Sequence, residues 1–546
     1  MADATTTGAP VQKLPAVFWT ANVTELFERA AYYSMASFVV IYLGQLGFGS
    51  YWPSVLGNSV MWGLVFFLPI LSGAIADQIG FRRSLLLAFV LLAGGYTLMG
   101  YPVWFGGSAL SKTIGTTVTA GMRDGVLIVG AIVLIGIGGS FIKPCISGTV
   151  QKTHGGRATL AFAIFYMVIN IGSLFGRGTA FVVRNGSSTT TIALVVAVLA
   201  LAAFGIVLLV YATTRTTRDK KNIWIPTAGF TAIVVLAGLA VWKIYGARAA
   251  ERIEAGGTNL SYIFAVSAVA CVVAFLIVLL LYREPGTGRA PALGAVEGPA
   301  KPGRSVGRIL ADMVLVLRNG RFSLYLIVMT GFYFIYNQVY NVLPLYAKRV
   351  VETNPAMDLY TAANPFAIVC FQLLISRAFG KVRPIRSMVV GTVIISIAML
   401  INVVPIYTAG GPQAIAANWL PIASVFIILT VALIAFGELF TSPRMYEYIG
   451  GLAPKGQEGL FLGYANLPIA LGAILSGPTG AFVFNEIMAR GARTRPDGLL
   501  ELVPANNMLG WLILGAVGFG SAFSLWLYNR WLERTVAREA SVAGVR

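Results

Sequence analysis

The chain has 546 residues, of which 57% are hydrophobic and only 11% are charged, with a formal net charge of +19. A soluble domain carries about 25% charged residues, and the mean hydropathy here is +0.78. Apolar blocks of about 20 residues or more recur along the chain, which is the length that a helix needs to cross a bilayer. These features predict a polytopic helical membrane protein and exclude a soluble domain, and the short alternating segments of a β-barrel are missing from the sequence.

The apolar blocks, bounded by Gly, Pro and charged residues, predict fourteen helices in three groups. The first six lie at 15–47, 53–76, 83–104, 124–149, 158–183 and 189–213. A central pair follows at 224–247 and 260–282. The last six lie at 322–348, 361–380, 386–408, 417–447, 458–485 and 507–531.

Six helices on each side of a central pair predict an all-α fold of two bundles joined in the middle. Many transporters with such paired halves place their site near the middle of the bilayer. Segment 283–305 is basic and rich in Gly, Pro and Ala, so it reads as a linker. The expected division is a cytoplasmic tail 1–14, a first bundle 15–213, an extra pair 214–282, a cytoplasmic linker 283–321, a second bundle 322–531 and a cytoplasmic tail 532–546.

The basic residues follow this predicted topology. With the N-terminus placed in the cytoplasm, about 24 of the Lys and Arg residues fall in cytoplasmic segments, about 10 in outer loops and about 6 within spans. The positive-inside rule therefore accounts for the net charge without a nucleic-acid partner. Both termini are expected in the cytoplasm.

The first predicted helix contains the sequence ELFERAAYY, in which Glu25, Glu28 and Arg29 share one helical arc and Tyr32 continues it. Ionisable groups inside a span are functional candidates, because burying charge in a membrane is costly. Two carboxylates that share one arginine carry one net negative charge, which a second cation or a proton can neutralise. A proton-coupled switch and a structural ion pair that fixes helix packing both remain open.

Lys143 lies in the middle of the fourth predicted helix, in the sequence GIGGSFIKPC. Gly138 and Gly139 permit close helix approach, and Pro144 permits a kink. Its depth disfavours a lysine that reaches out to the membrane surface. Lys143 is therefore the candidate second cation for the glutamate pair.

Glu438 is the one acid deep in the tenth of the twelve bundle helices, and it requires a cationic partner, a proton or a cationic ligand group. Arg444 and Glu447 near the end of that helix are expected to form a local pair. Asn170, Gln338 and Asn364 could bind a substrate or join helices by hydrogen bonds. The aromatic run GFYFIYNQVY (331–340) could line a pocket or pack between helices.

Metal and nucleophile chemistry find little support in the sequence. Cys145, Cys271 and Cys370 are unrelated in depth, and the single histidine, His154, lies in a short loop. No metal site and no cofactor are expected. A membrane-embedded enzyme would need a nucleophile and base, or metal ligands, at depth, so we expect no enzymatic activity.

Together these segments resemble the proton-dependent oligopeptide transporter (POT) family of the major facilitator superfamily, in its bacterial form with two extra central helices. The first helix matches the family pattern E-x-x-E-R-F-x-Y-Y-G from Glu25 to Ser34. Further matches are spread along the chain: SGAIADQIGFRRS (72–84), GGSFIKP (138–144), FYMVINIGSL (165–174), the NP dipeptide at 364–365 and GELFTSP (437–443).

The resemblance implies a role for each matching residue. Glu25, Glu28, Arg29 and Lys143 would couple proton movement to the motion of the bundles. Glu438 would hold the amino group of a substrate. The pocket would be lined by Tyr32, Tyr33, Lys143, Asn170, Gln338, Asn364 and Glu438. Asp77, Arg82 and Arg83 would stabilise one end state of the bundles.

The sequence departs from the family at several positions. Peptide-transporting members carry an arginine where this chain has Ala36, so Lys143 or Arg177 would have to hold a peptide carboxylate. Ala30 and Ser34 replace the usual Phe and Gly. Many members also carry a gating acid on the seventh helix, where this chain has Asn337.

The function implied is a monomeric symporter of the cytoplasmic membrane that uses protons to import di- and tripeptides, or peptide-like molecules, by alternating access. The alternative keeps the fold and changes the substrate to a small anion such as nitrate or to another organic solute, with altered proton coupling. The partners expected are protons, the substrate and the lipid bilayer.

Overall fold

The structure, a computed structural model, describes residues 14–111, 114, 119–153, 158–185, 232, 236, 260–285, 315–379, 381–417, 420–452 and 464–543. Several predicted features lie outside these residues. They are the tail before Leu14, the helices predicted at 189–213 and 224–247, most of the predicted linker, and His154.

The described chain is almost entirely helical. Its first half contains α1 (Ala16–Met35), α2 (Val39–Gln45), α3 (Trp52–Ser54), α4 (Met61–Phe67), α5 (Pro69–Ile79), α6 (Phe81–Trp104), α7 (Met122–Thr153), α8 (Ala158–Asn185) and α9 (Tyr262–Leu281). Its second half contains α10 (Gly320–Tyr336), α11 (Val342–Tyr346), α12 (Met357–Phe379), α13 (Pro384–Leu400), α14 (Ile422–Leu452), α15 (Leu467–Phe482) and α16 (Pro504–Ala543).

Short irregular segments connect these helices. Three are π-helical, at Val55–Val60, Ala347–Val351 and Val483–Met488, and three are 3₁₀-helical, at Asn337–Tyr340, Ile401–Tyr407 and Tyr464–Asn466. Two small antiparallel sheets pair β1 (Ile415–Ala417) with β2 (Leu420–Pro421) and β3 (Arg493–Thr494) with β4 (Leu500–Glu501).

Many of the helices are long and apolar enough to cross a membrane. Within the described residues there are nine such stretches, and the bent pair Trp52–Phe67 and Pro69–Ile79 makes a tenth. These stretches confirm the prediction of a helical membrane protein. The count of fourteen stays a prediction, because two of the predicted helices lie outside the described residues.

Prolines break two helices that the sequence predicts as continuous. The predicted second helix bends by 41° between α4 and α5, where Pro69 follows Leu68. The predicted seventh helix ends as α10 and resumes as α11, which contains Pro344. Proline has no N–H to donate, and its ring clashes with the carbonyl four residues earlier, so the break falls near Tyr340.

The last helix is longer than predicted. Residues 532–543, expected in a tail, continue α16. Glu533 lies in this extension and accepts hydrogen bonds from Arg383 at 2.8 Å and Arg386 at 3.2 Å. These bonds tie the extension to α13, so the helix does not end where its apolar run ends.

Helix α9 packs inside the first half, against α1 and α6. The Ser267 hydroxyl lies 2.8 Å from that of Ser34 and donates to the Ala31 carbonyl at 2.8 Å. The ring of Tyr262 stacks on Trp104 of α6, with centroids 6.1 Å apart. The sequence predicts α9 as the second helix of an extra pair, whereas its packing makes it an integral helix of the first half.

The second half has a counterpart to α9 in α16. A Cβ at Gly331 of α10 would meet Ser521, and a Cβ at Gly518 would meet Ser396 of α13. Helix α16 therefore packs on the first and third long helices of its half, α10 and α13. Helix α9 packs in the same way on α1 and α6, which gives the two halves matching arrangements.

The two halves meet toward one end of the molecule, which we name the Asn354 end; the opposite end, which contains Gly80, is the Gly80 end. The Asn58 side chain donates to Ser476 at 2.7 Å across the boundary, and Ser37 pairs with Thr361 at 2.8 Å. Most of the buried core is apolar. These polar contacts give the boundary a defined register.

Candidate functional site

The three charged residues of α1 form one buried cluster. The Arg29 Nε atom lies 3.2 Å from Glu25 Oε1 and donates a close hydrogen bond to Glu28. The side chains of Glu25 and Glu28 are 0% and 2% exposed. One guanidinium therefore serves two carboxylates that water does not reach.

Close packing of α8 on α1 seals the back of this cluster. A Cβ at Gly172 would lie 2.6 Å from the Leu26 carbonyl oxygen and 2.8 Å from the Arg29 Cβ. Such distances exclude any larger residue without movement of the backbone. Glycine at this position brings α8 near enough to α1 to exclude water from the charged arc.

Lys143 extends from α7 toward the cluster without contacting it. Within the described residues it makes no ion pair, and its Nζ lies 5.6 Å from the Phe66 ring centroid. The carboxylates of Glu25, Glu28 and Glu438 lie within electrostatic range of it. Lys143 is half-buried, so it is a positive charge whose hydrogen-bonding capacity is available.

Glu438 of α14 lies on the other side of the boundary between the halves. Its Oε2 accepts a hydrogen bond from the Asn364 amide at 3.2 Å, and Tyr336 also hydrogen-bonds to it. Neither partner is charged. Among the described residues no cation contacts this carboxyl group, and Lys143 acts on it from the first half at a distance.

Arg177 of α8 is fully engaged by protein groups. Its Nε donates to Thr361 at 2.9 Å, and its guanidinium lies 4.4 Å from the Tyr33 ring centroid. It also bonds to Ser173 and to Tyr340. The side chain is 1% exposed. Of the two cations considered for a ligand carboxylate, Arg177 is occupied and Lys143 is accessible.

The predicted pocket residues Tyr32, Asn170 and Gln338 lie in different surroundings. Tyr32 packs on Tyr33 and Trp62 with centroid distances of 4.7 Å, in the region of the charged cluster. Asn170 instead donates within its own helix to Tyr166 at 2.9 Å. Gln338 is fully buried, and its Oε1 faces Gly480 of α15.

The predicted gating residues lie at the Gly80 end. Glu284, just after α9, accepts from the backbone N–H groups of Phe81 and Arg82 at 2.8 and 2.9 Å. Arg82 also donates to the Leu279 carbonyl at 2.8 Å. The charges of Asp77 and Lys152 interact, and Arg83 is exposed. These contacts fasten α9 to the start of α6.

Several residues of the site are not among those predicted. Tyr336 and Tyr340 connect Glu438 to Arg177, and their i, i+4 spacing inside the aromatic run is the sequence signal for a shared face. Arg184 and Asp358 pair across the halves. Both lie just outside the predicted helices, so they do not count among charges inside spans.

Comparisons with known proteins agree with this arrangement. The POT family model matches residues 321–492. A dipeptide and tripeptide permease A of Pectobacterium carotovorum is 25% identical over 483 residues, covering 85% of this chain and 83% of that protein. A dipeptide and tripeptide permease B of Shigella dysenteriae is 25% identical over 565 residues, covering 98% and 99%.

Residues 321–492 thus resemble the POT family, and the permeases named above extend the likeness over most of the chain. A solved POT family transporter, in complex with 5-aminolevulinic acid, is 18% identical and matches with a TM-score of 0.59 over 94% of this chain and 95% of its own. That match confirms the predicted fold of the major facilitator superfamily. The bacterial relatives and the apolar helices support a multi-pass protein of the inner membrane.

Proposed function

We propose that this protein is a proton-coupled symporter that imports di- and tripeptides, or molecules of similar shape and charge, by alternating access. The observation that carries the proposal is the buried pair of carboxylates on one arginine, with Lys143, which forms no ion pair with any described residue, in electrostatic range. The peptide permeases named above support peptides as cargo.

The coupling proposal follows from charge balance at the cluster. With Glu25 and Glu28 both ionised, Arg29 leaves one net negative charge, which Lys143 can balance from a distance. A proton on either carboxylate balances it as well and releases Lys143 for another anion. Protonation thereby changes the relative energies of the two end states of the transporter, which is the condition for coupling.

The substrate proposal uses the two opposite charges on either side of the boundary. Glu438, held by Asn364 and Tyr336, would bind the amino group of a peptide. Lys143 would bind its carboxylate, taking the part of the arginine that Ala36 replaces. Tyr32, Tyr33, Asn170 and Gln338 stay proposed as pocket residues, with the weakest support for Gln338.

The topology proposal places the Gly80 end in the cytoplasm. Arg82, Arg83, Arg383 and Arg386 all lie at that end, in agreement with the positive-inside rule, and this orientation places both termini in the cytoplasm. Asp77, Arg82 and Arg83 would stabilise an end state there. We also propose the monomer as the working unit.

We also propose a revised division of the chain. The first bundle would contain α1 to α8 together with α9, and the second bundle would run from α10 to α16. The matching places of α9 and α16 on their halves support this division. The linker 283–321 would then join the sixth and seventh bundle helices.

Uptake by reconstituted protein tests the function. Parent protein, Glu28→Gln and Glu447→Gln are placed in proteoliposomes with a panel of radiolabelled dipeptides, with and without an inward proton gradient. Glu447 forms an exposed local pair with Arg444, so its variant is the matched control. We expect gradient-driven uptake in the parent and in Glu447→Gln, and its loss in Glu28→Gln.

Two outcomes would contradict the proposal. Peptide uptake that ignores the gradient, and that is unchanged in Glu28→Gln, removes the coupling role. Failure of every dipeptide to compete with a transported anion such as nitrate removes peptides as cargo.

A further inference from the structure

The predicted seventh helix of this protein, 322–348, contains no acid that could act as a gate. Asn337 occupies the position where many relatives of the family pattern carry an acid, and it is buried. Its amide donates to the Tyr333 carbonyl at 2.7 Å, within its own helix. Closure of the Asn354 end therefore has to depend on other groups.

A buried ion pair joins the two halves at this end. Two guanidinium nitrogens of Arg184, at the end of α8, lie 3.3 Å from the two carboxylate oxygens of Asp358, at the start of α12. The side chains are 0% and 1% exposed. Arg184 also donates to the Asn354 side chain at 2.5 Å. Both charges are thus removed from water and satisfied across the boundary.

A second polar layer lies deeper along the same two helices. Thr361, one turn after Asp358, accepts from Arg177, two turns before Arg184. The Thr361 hydroxyl also pairs with Ser37 of the first half at 2.8 Å. The α8–α12 boundary therefore contains two arginines of one half that bind acceptors of the other half.

Because the pair is buried, it influences whether this end of the protein is closed or open. A buried ion pair adds little net stability compared with an apolar pair, but loss of one partner leaves an uncompensated charge. Separation of the halves at this end would part Arg184 from Asp358 and admit water. The pair therefore favours the closed arrangement of this end over the open one, more than it favours the fold itself.

We propose that Arg184 and Asp358 form the outer gate of this transporter, taking the part that a seventh-helix acid plays elsewhere in the family. The proposal rests on the proposed alternating-access function. Both are positioning residues, since they act on the equilibrium between end states without contacting the substrate. Removal of either charge shifts the protein toward the state that is open at the Asn354 end.

A cysteine reporter measures this shift directly. Ser476 is fully buried at the boundary and accepts a hydrogen bond from Asn58, so Ser476→Cys is sealed when the end is closed. Cys370 is half-buried and is replaced by serine, while Cys145 and Cys271 are buried. Labelling by a membrane-impermeant maleimide in oriented vesicles then reports opening of this end.

The variants are Asp358→Asn, Arg184→Gln and the double exchange Arg184→Asp with Asp358→Arg, each checked for monodisperse folded protein. Arg383→Gln is the matched control, because it removes an exposed ion pair within the second half. We expect labelling at least about tenfold faster in both single variants, rates near the parent in the double exchange, and no change in Arg383→Gln.

Three results would overturn the gate. They are parent-like labelling in both single variants, equal acceleration in Arg383→Gln, and a double exchange that labels as fast as the single variants. The assay uses no substrate and no gradient. If labelling responds as expected while no peptide is transported, the gate stands and the proposed cargo fails.

Discussion

Replacement of Glu438 by glutamine tests the substrate site with the smallest change in shape. The side-chain amide keeps the size of the carboxyl group and can still accept from Asn364 and Tyr336, which bond to Glu438 at present. What is lost is one negative charge within a helix long and apolar enough to cross the membrane. The binding of a neutral ligand group should change little, whereas an ammonium group loses its counter-charge.

The magnitude follows from the kind of bond removed. A hydrogen bond to a charged group contributes about 1.5–3 kcal/mol. At about 1.4 kcal/mol for each factor of ten, the affinity for a dipeptide with a free amino terminus should fall by about 10-fold to 150-fold. The N-acetylated dipeptide has no ammonium group, so its weaker binding should change by less than about threefold.

The assay is competition binding with the detergent-purified protein, comparing each dipeptide with its N-acetylated form in the parent and in Glu438→Gln. Glu447→Gln serves as the control, because Glu447 is exposed and paired with Arg444 on the same helix. Equal losses for free and acetylated peptides would refute the assignment of Glu438 to the amino group.

Three further predictions concern the opposite charge, the packing and the boundary. Lys143→Gln should weaken the binding of dipeptides about tenfold or more and should change the binding of their C-terminal amides little. Equal losses of affinity in competition binding would contradict this. Gly172→Leu should lower the free energy of unfolding by about 1–3 kcal/mol more than Gly130→Leu does, and it should therefore melt at a lower temperature. The reason is that a Cβ at Gly172 meets the α1 backbone at 2.6 Å, whereas one at Gly130 meets no atom within 4 Å. Similar melting of the two variants would refute the packing role. Ser37→Cys with Thr361→Cys, whose hydroxyls lie 2.8 Å apart, should cross-link on oxidation and stop uptake until reduced, and uptake that persists in the cross-linked protein would count against alternating access.

The charged arc of α1 could be predicted from sequence because its geometry is local. Spacing of three and four residues fixes which side chains share a helical face, and Glu25, Glu28 and Arg29 contact one another as that spacing predicts. The partnership of Lys143 with the arc was predicted from charge balance alone. Their separation in the structure depends on how α7 packs on α1, which no local pattern encodes.

The Arg184–Asp358 pair could not be predicted from the sequence. The two residues are far apart in the chain, and each lies a few residues outside a predicted helix, at 158–183 and 361–380. Apolar runs locate the hydrocarbon-facing part of a helix, while α8 and α12 extend beyond those runs to Asn185 and from Met357. From the sequence alone, a charged residue in that extension is assigned to a loop. Only the packing of the two helices shows that it lies in a helix at the boundary.

The packing of α9 could not be predicted from the sequence either. Helix count and linker position predict α9 as part of an extra pair. Hydropathy shows that a segment is apolar, but it does not show which helices that segment packs against. The contacts of Ser267 with Ser34 and Ala31 determine its place in the first half.

Proton movement driven by peptide is the most direct test of the account. Proteoliposomes are filled with a pH-sensitive dye at equal pH on both sides, and a transported dipeptide is added outside. Protons that enter with the peptide through the Glu25–Glu28–Arg29 cluster should acidify the interior, and Glu28→Gln should abolish the acidification while peptide exchange continues. Entry of labelled peptide with no change in internal pH would contradict proton-coupled symport.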